Sequence, residues 1–181
     1  MKKTILFIAL ITATGLLFAQ KKTTSSGTVN FDATTSLDPL PKAENKAAIA
    51  AIDPTTGAVA FEVIMKNFTF ENPKMQEHFN GEGWLNSEKY PTAAFKGNIT
   101  NLGAVNFSKD GTYDADIAGD LTIHGVTKPV KTTGKITVTG DAIAANSEFS
   151  IKLADYGVDG PAVGGGKVSK EPKISVSSNF Q

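Results

Sequence analysis

The stretch TYDADIAGDLTI, residues 112–123, alternates without a slip: Tyr113, Ala115, Ile117, Gly119, Leu121 and Ile123 fall on one side, and Thr112, Asp114, Asp116, Ala118, Asp120 and Thr122 on the other. A helix would bring Asp114 and Ile117 to the same face, whereas an extended chain sends them to opposite faces. The segment is a β-strand with one buried side, and its neighbours repeat the pattern. Val130, Thr132, Gly134, Ile136 and Val138 oppose Lys131, Thr133, Lys135, Thr137 and Thr139. Ile143, Phe149, Ile151 and Leu153 share a face, as do Ile174, Val176 and Phe180. Upstream, the same period holds for Val29, Phe31 and Ala33, for Val59, Phe61, Val63 and Met65, and for Phe95, Gly97 and Ile99. The run Ala47–Ile52 is the least defined, since its alanines fit a short helix equally well.

Turn residues separate these elements at Asp53–Gly57, Lys109–Gly111 and Thr139–Asp141. The pattern predicts about eight strands, near 28–35, 45–52, 58–69, 92–101, 112–123, 129–139, 142–154 and 171–180. One segment departs from period two. Asn72 offers an N-cap, Pro73 a first helical position, and Met75 and Phe79 lie one turn apart, so a short helix is expected over about 73–79, between the third and fourth strands.

An antiparallel sheet of this size hides its apolar side either by closing into a barrel or by folding into a sandwich. Eight strands enclose an interior that side chains just fill or that holds one small ligand. The inward positions include Ala33, Ala93, Gly97, Ala115, Gly119, Gly134, Ala145 and Ser147. A solid core calls for larger residues there, so the composition favours an apolar hollow, although close contact between two sheets would select small residues as well.

The ends and the composition bound the setting. Lys2 and Lys3 precede the apolar run Thr4–Phe18, and Ala19 offers a cleavage point before Gln20, the order of a secretory signal peptide. That run is shorter than the roughly 20 residues a spanning helix needs. The expected organisation is a leader over 1–19, a flexible segment over 20–27 and one domain over 28–181, periplasmic or secreted. All 18 basic residues are lysines, set against 18 acidic ones; losing Lys2 and Lys3 leaves 16 against 18, a net charge of −2. With no arginine and no basic cluster, nucleic acid is not an expected partner. The chain has no cysteine, which excludes disulfides, thiol nucleophiles, thiolate metal sites and a lipid-modified cysteine.

Polar side chains show no catalytic constellation. His78 lies on the polar side of the short helix, and His124 ends the strand quoted above, where a hydrogen bond to backbone is its expected role. Asp114, Asp116 and Asp120 project in parallel from an outer strand face instead of converging on a cation. Lys167 follows three glycines, but Pro161 and Val168 occupy positions that a phosphate-binding loop reserves for Gly and Ser or Thr. No serine sits in a nucleophile-elbow sequence. Neither an enzymatic site, a metal site nor a cofactor is expected.

Two runs carry a family resemblance. GDLTIHGVTKPV, residues 119–130, is unbroken, and MQEHF at 75–79 is followed by WLNSEKYPTAAF at 84–95. In these runs and their spacing the chain resembles the YceI-like family of bacterial periplasmic, lipocalin-like proteins that bind polyisoprenoid lipids, over most of residues 27–181. The resemblance implies an all-β, eight-stranded antiparallel lipocalin-like barrel, a secreted location, an elongated apolar pocket, an isoprenoid-type lipid as partner and no catalytic residues. The opening strand GTVNFDATTSLDPL lacks the family's Asp-x-x-His-Ser sequence. Without arginine, any head group would meet Lys, Ser, Thr or backbone N–H groups.

On this reading the pocket wall consists of the large inward residues Phe31, Phe61, Val63, Phe95, Ile99, Ile117, Leu121, Ile136, Val138, Phe149 and Ile151. Met75, Phe79, Trp84 and Tyr90 form a lid at its mouth. The expected function is to sequester or carry a long apolar ligand. The alternative is a secreted, solid-cored β scaffold without a ligand. An integral outer-membrane barrel fits less well, because a lipid-facing band wants bulkier residues and aromatic girdles. The sequence leaves a homodimer open.

Overall fold

A computed structural model describes residues 21–181; the leader reading falls outside them. Nine antiparallel strands form one sheet: β1 (Lys22–Asp32), β2 (Lys42–Ile52), β3 (Ala58–Ile64), β4 (Thr69–Phe70), β5 (Thr92–Ile99), β6 (Gly111–Ile123), β7 (Val126–Thr139), β8 (Ala142–Ser150) and β9 (Lys173–Phe180). Their spatial order is β1-β9-β8-β7-β6-β5-β3-β2-β4, and β1 also pairs with β2. That last pairing closes eight strands into a barrel, with β4 attached to β2 as an extra two-residue strand.

The short helix α1 (Pro73–Asn80) forms where Asn72 and Pro73 predict it. The Asn72 side chain accepts from the Lys74 N–H at 2.9 Å, and Gly81 N–H closes the last turn on His78 C=O. α1 follows β4 and precedes β5, so the extra strand is the one difference from the expected count. A second helical turn, α2 (Pro161–Gly164), lies in the long β8–β9 connection.

Several boundaries differ from the sequence reading, and the ambiguous alanine run is resolved. Residues 22–27, expected to be flexible, form the first half of β1 and pair with β2 from Lys22↔Ile52 onward. Their two threonines favour a strand, but no apolar alternation marks the run. Ala47–Ile52 is strand, as the ladder to both β1 and β3 requires. β7 starts at Val126 instead of 129, because the β6–β7 turn is only His124-Gly125. Both have positive φ, 52° and 74°, the backbone of a two-residue hairpin whose twist matches that of its strands.

The four connections 33–41, 65–91, 124–125 and 151–172 all lie at one end of the barrel, the capped end. The opposite end, the base, carries the turns 53–57, 100–110 and 140–141, the first residues of β1 and the last of β9. Apolar residues divide accordingly. Phe31, Phe68, Phe70, Phe79, Leu85, Leu121 and Leu153 form a cluster under the cap, while Ile52, Val59, Ile99, Val105, Ile136, Val138, Ile143 and Phe180 fill the base.

Candidate functional site: an apolar cavity along the barrel axis

Between these clusters an apolar cavity runs through the barrel, from Leu153 and Leu85 under the cap to Ile52 and Phe180 at the base. It measures about 160 Å³, against about 10–15 Å³ for one water-sized sphere, which makes room for a chain on the order of ten carbons. The inward rings of Phe61, Phe95 and Phe149 keep intermediate exposure. Each packs against a buried cluster on one side and borders the hollow on the other.

Of the residues expected on the wall, the structure places Phe31, Phe61, Val63, Phe95, Ile99, Ile117, Leu121, Ile136, Phe149 and Ile151 on it. Val138 is a correction. It is buried in the base cluster below the hollow, one step too near the β7–β8 turn to reach the cavity. Of the expected lid, Phe79 and Trp84 line the cavity, and Met75 packs on the cluster beside them. Tyr90 does not reach it; its ring stands edge-on to His124 at 4.6 Å and against Gly125.

Phe79 sits at the centre of the cap. Its ring contacts Phe70 at 4.9 Å, Phe68 at 5.5 Å and Phe31 at 5.7 Å in tilted and edge-on geometries that suit aromatic quadrupoles. Each of these rings comes from a different local element, so α1 is fastened to β1 and β4 through one side chain. Ser87 Oγ donates to Asn80 Oδ1 at 2.7 Å and fixes the segment that carries Trp84 and Leu85.

The small inward residues fall into two groups. Ala93, Gly134, Ala145 and Ser147 line the cavity. Gly97 and Gly119 do not create space: they face each other in the β5–β6 ladder, and a Cβ on Gly119 would lie 2.3 Å from Lys96 O and 2.7 Å from the Phe95 ring. These two glycines allow close strand approach, and the Phe95 ring covers them. Ala33 and Ala115 are fully packed, at 0 % exposure.

Wall residues missed in the sequence include Phe68 and Leu85, which sit in short irregular turns where no periodicity marks an inward side; Leu153 keeps the inward side read for it, although it opens a helical turn instead of ending a strand. Ile174, Val176 and Phe180 were visible as one face of β9, and that alternation is the signal that places them on the wall.

The polar groups take structural roles. His124 Nδ1 lies 3.1 Å from Tyr156 O and ties the β6–β7 hairpin to the turn Leu153–Tyr156. Burial of Tyr156 raises its phenol pKa, with the Asp155 carboxylate adding to the shift. Asp114 pairs with Lys135 at 2.7 Å across the outer face, and His78 is exposed on α1. Among the described residues no three His, Asp or Glu side chains converge as a metal site, and no helix is long and apolar enough to cross a membrane.

Comparison with known proteins agrees with this architecture. The sequence matches the YceI-like domain over residues 12–180. Protein YceI of Escherichia coli O17:K52:H18 is 37% identical over 95 residues, 48% of this chain and 46% of that protein. A UPF0312 protein of Pseudomonas fluorescens is 30% identical over 117 residues, 61% of this chain and 57% of its own length. The chain thus spans about half the length of the curated relatives it matches. Among solved structures, a polyisoprenoid binding domain from Saccharophagus degradans superposes with a TM-score of 0.74 at 12% identity, covering 89% of this chain and 97% of that one. Burkholderia cenocepacia BcnA superposes at 0.71 with 18% identity, covering 86% and 96%. With a family match across nearly the whole chain and a closed eight-stranded barrel around an apolar hollow, the protein belongs to the YceI-like family.

Proposed function

We propose that this protein is a secreted, periplasmic or extracellular binding protein that holds an apolar ligand, a lipid of isoprenoid or similar type, in the barrel interior without transforming it. The observation that carries this reading is the continuous apolar cavity between the two packed clusters. A molecule that fills it removes its own apolar surface from water, at about 0.8 kcal/mol for each methylene. Ten such groups offer about 8 kcal/mol gross, a figure that corresponds to micromolar binding before association costs are subtracted. The solved polyisoprenoid binding domain has the same fold, which supports a lipid as the guest. The leader-like residues 1–19 support export.

Organic extraction of protein purified from its own host without detergent, followed by mass analysis, tests the reading. The expected result is a lipid in near-stoichiometric amount with at least ten carbons of apolar chain. An empty barrel that also takes up no fatty probe in solution refutes it and leaves the solid scaffold.

A further inference from the structure

Toward the capped end the barrel wall has one unladdered seam. β7 pairs with β8 only from Thr139↔Ala142 to Gly134↔Ser147. Beyond that point β7 stays paired to β6 up to Ile123↔Val126, and β8 stays paired to β9 up to Ser150↔Lys173. The two strands therefore part while each remains anchored on its other side. The capped halves of the other strand pairs are closed: β1–β2 and β1–β9 run to Asp32, and β3–β5 runs to Ile64↔Thr92. β5–β6 reaches Ala94↔Thr122. Where β2 and β3 separate, β4 pairs with β2, and buried Asn45 donates to Ile64 O at 3.0 Å.

The seam has defined edges. Below, side-chain hydroxyls replace the ladder: Ser147 Oγ donates to Thr133 O at 2.8 Å, and Thr132 Oγ1 lies 3.1 Å from Ser147 Oγ and donates to Glu148 O at 3.4 Å. Above, the turn Leu153–Tyr156 crosses to the β6–β7 hairpin and is clasped by His124. Pro129, which has no N–H to give a neighbour, stands in the unpaired stretch of β7, the kind of edge position to which proline in strands is confined. The flanking inward residues Val130, Thr132, Ser147, Phe149 and Ile151 all line the cavity, so the seam faces directly into it.

We propose that this seam is a lateral portal and head-group rim for an amphiphile. The chain slides sideways between β7 and β8 into the cavity, and the polar head stays at the rim beside the Thr132 and Ser147 hydroxyls and the unpaired strand backbone. This rests on the lipid-binding reading and adds the ligand's chemical class and its route. Ile52 and Phe180 close the cavity at the base, so a lipid longer than the hollow projects from the barrel elsewhere. At the capped end it would meet the Phe79 cluster; at the seam it meets no ladder. Widening a gap that lacks backbone hydrogen bonds is a local motion that leaves the rest of the sheet intact.

The test closes the seam covalently, which the absence of native cysteine makes clean. Continuing the register of Gly134↔Ser147 sets Lys131 opposite Ser150, both exposed. The double variant Lys131→Cys, Ser150→Cys is joined by a short cleavable bismaleimide, and release of a polyene fatty acid that fluoresces out of water is followed by stopped flow. Linking is expected to slow release at least ten-fold, with full recovery on cleavage. His124→Ala, which unclasps the upper edge, is expected to speed release several-fold. Equal release rates before and after linking, in protein that binds the probe, overturn the portal alone. If the unlinked protein takes up no probe, the lipid-binding reading falls and the portal with it.

Discussion

Gly119 shows how one missing methyl group shapes this barrel. It faces Gly97 across β5 and β6, and any Cβ there runs into Lys96 O and the Gly97 Cα at 2.3 and 2.5 Å. Both obstacles are backbone, so they cannot swing aside as a flexible side chain would. Gly119→Ala is expected to destabilise the protein by about 1–3 kcal/mol, the usual range for overpacking, measured as a lower urea midpoint with an unchanged slope. The inward side of Gly119 was legible in the alternation of residues 112–123, but its purpose was not. A small inward residue marks either open space or close backbone approach, and only the register across to Gly97 tells which. The same ambiguity misplaced Val138: its inward side was readable, but its height relative to the cavity floor depends on the β7–β8 pairing.

At the scale of elements, the cap depends on α1. Its start was plain from Asn72 and Pro73, because an N-cap and a first-position proline act locally. What α1 packs against was not readable, since Phe68, Phe70 and Phe31 approach Phe79 from elements far apart in sequence or irregular in conformation. Phe79→Ala removes the ring on which the other three converge and is expected to cost about 3–5 kcal/mol. Hydrogen exchange would show the loss of protection concentrated in residues 65–91 instead of spread evenly over the sheet. The strands contrast with this. Period two survives any tertiary context in which one face is buried, so most of β3 and β5–β9 could be located from the sequence, whereas the alanines of β2 left helix and strand equally open. β4 is too short to show a period, and the first half of β1 is polar on both sides.

On the scale of the whole molecule, closure of the sheet separates an interior wall from a solvated exterior, and function is expected to follow that division. Leu121 is buried on the cavity wall, between Phe95 of β5 and the hairpin that carries His124. As a hypothesis, Leu121→Asp sets a charge into an apolar lining that offers it no partner. The expected outcome is a folded but less stable protein from which organic extraction recovers no lipid. Retention of lipid in that folded variant would remove Leu121 from the wall. The floor of the same space is supplied by Phe180, only 1% exposed. Cutting that one side chain back to a methyl group, as in Phe180→Ala, would therefore unstopper the vessel from beneath and let water reach whatever it holds.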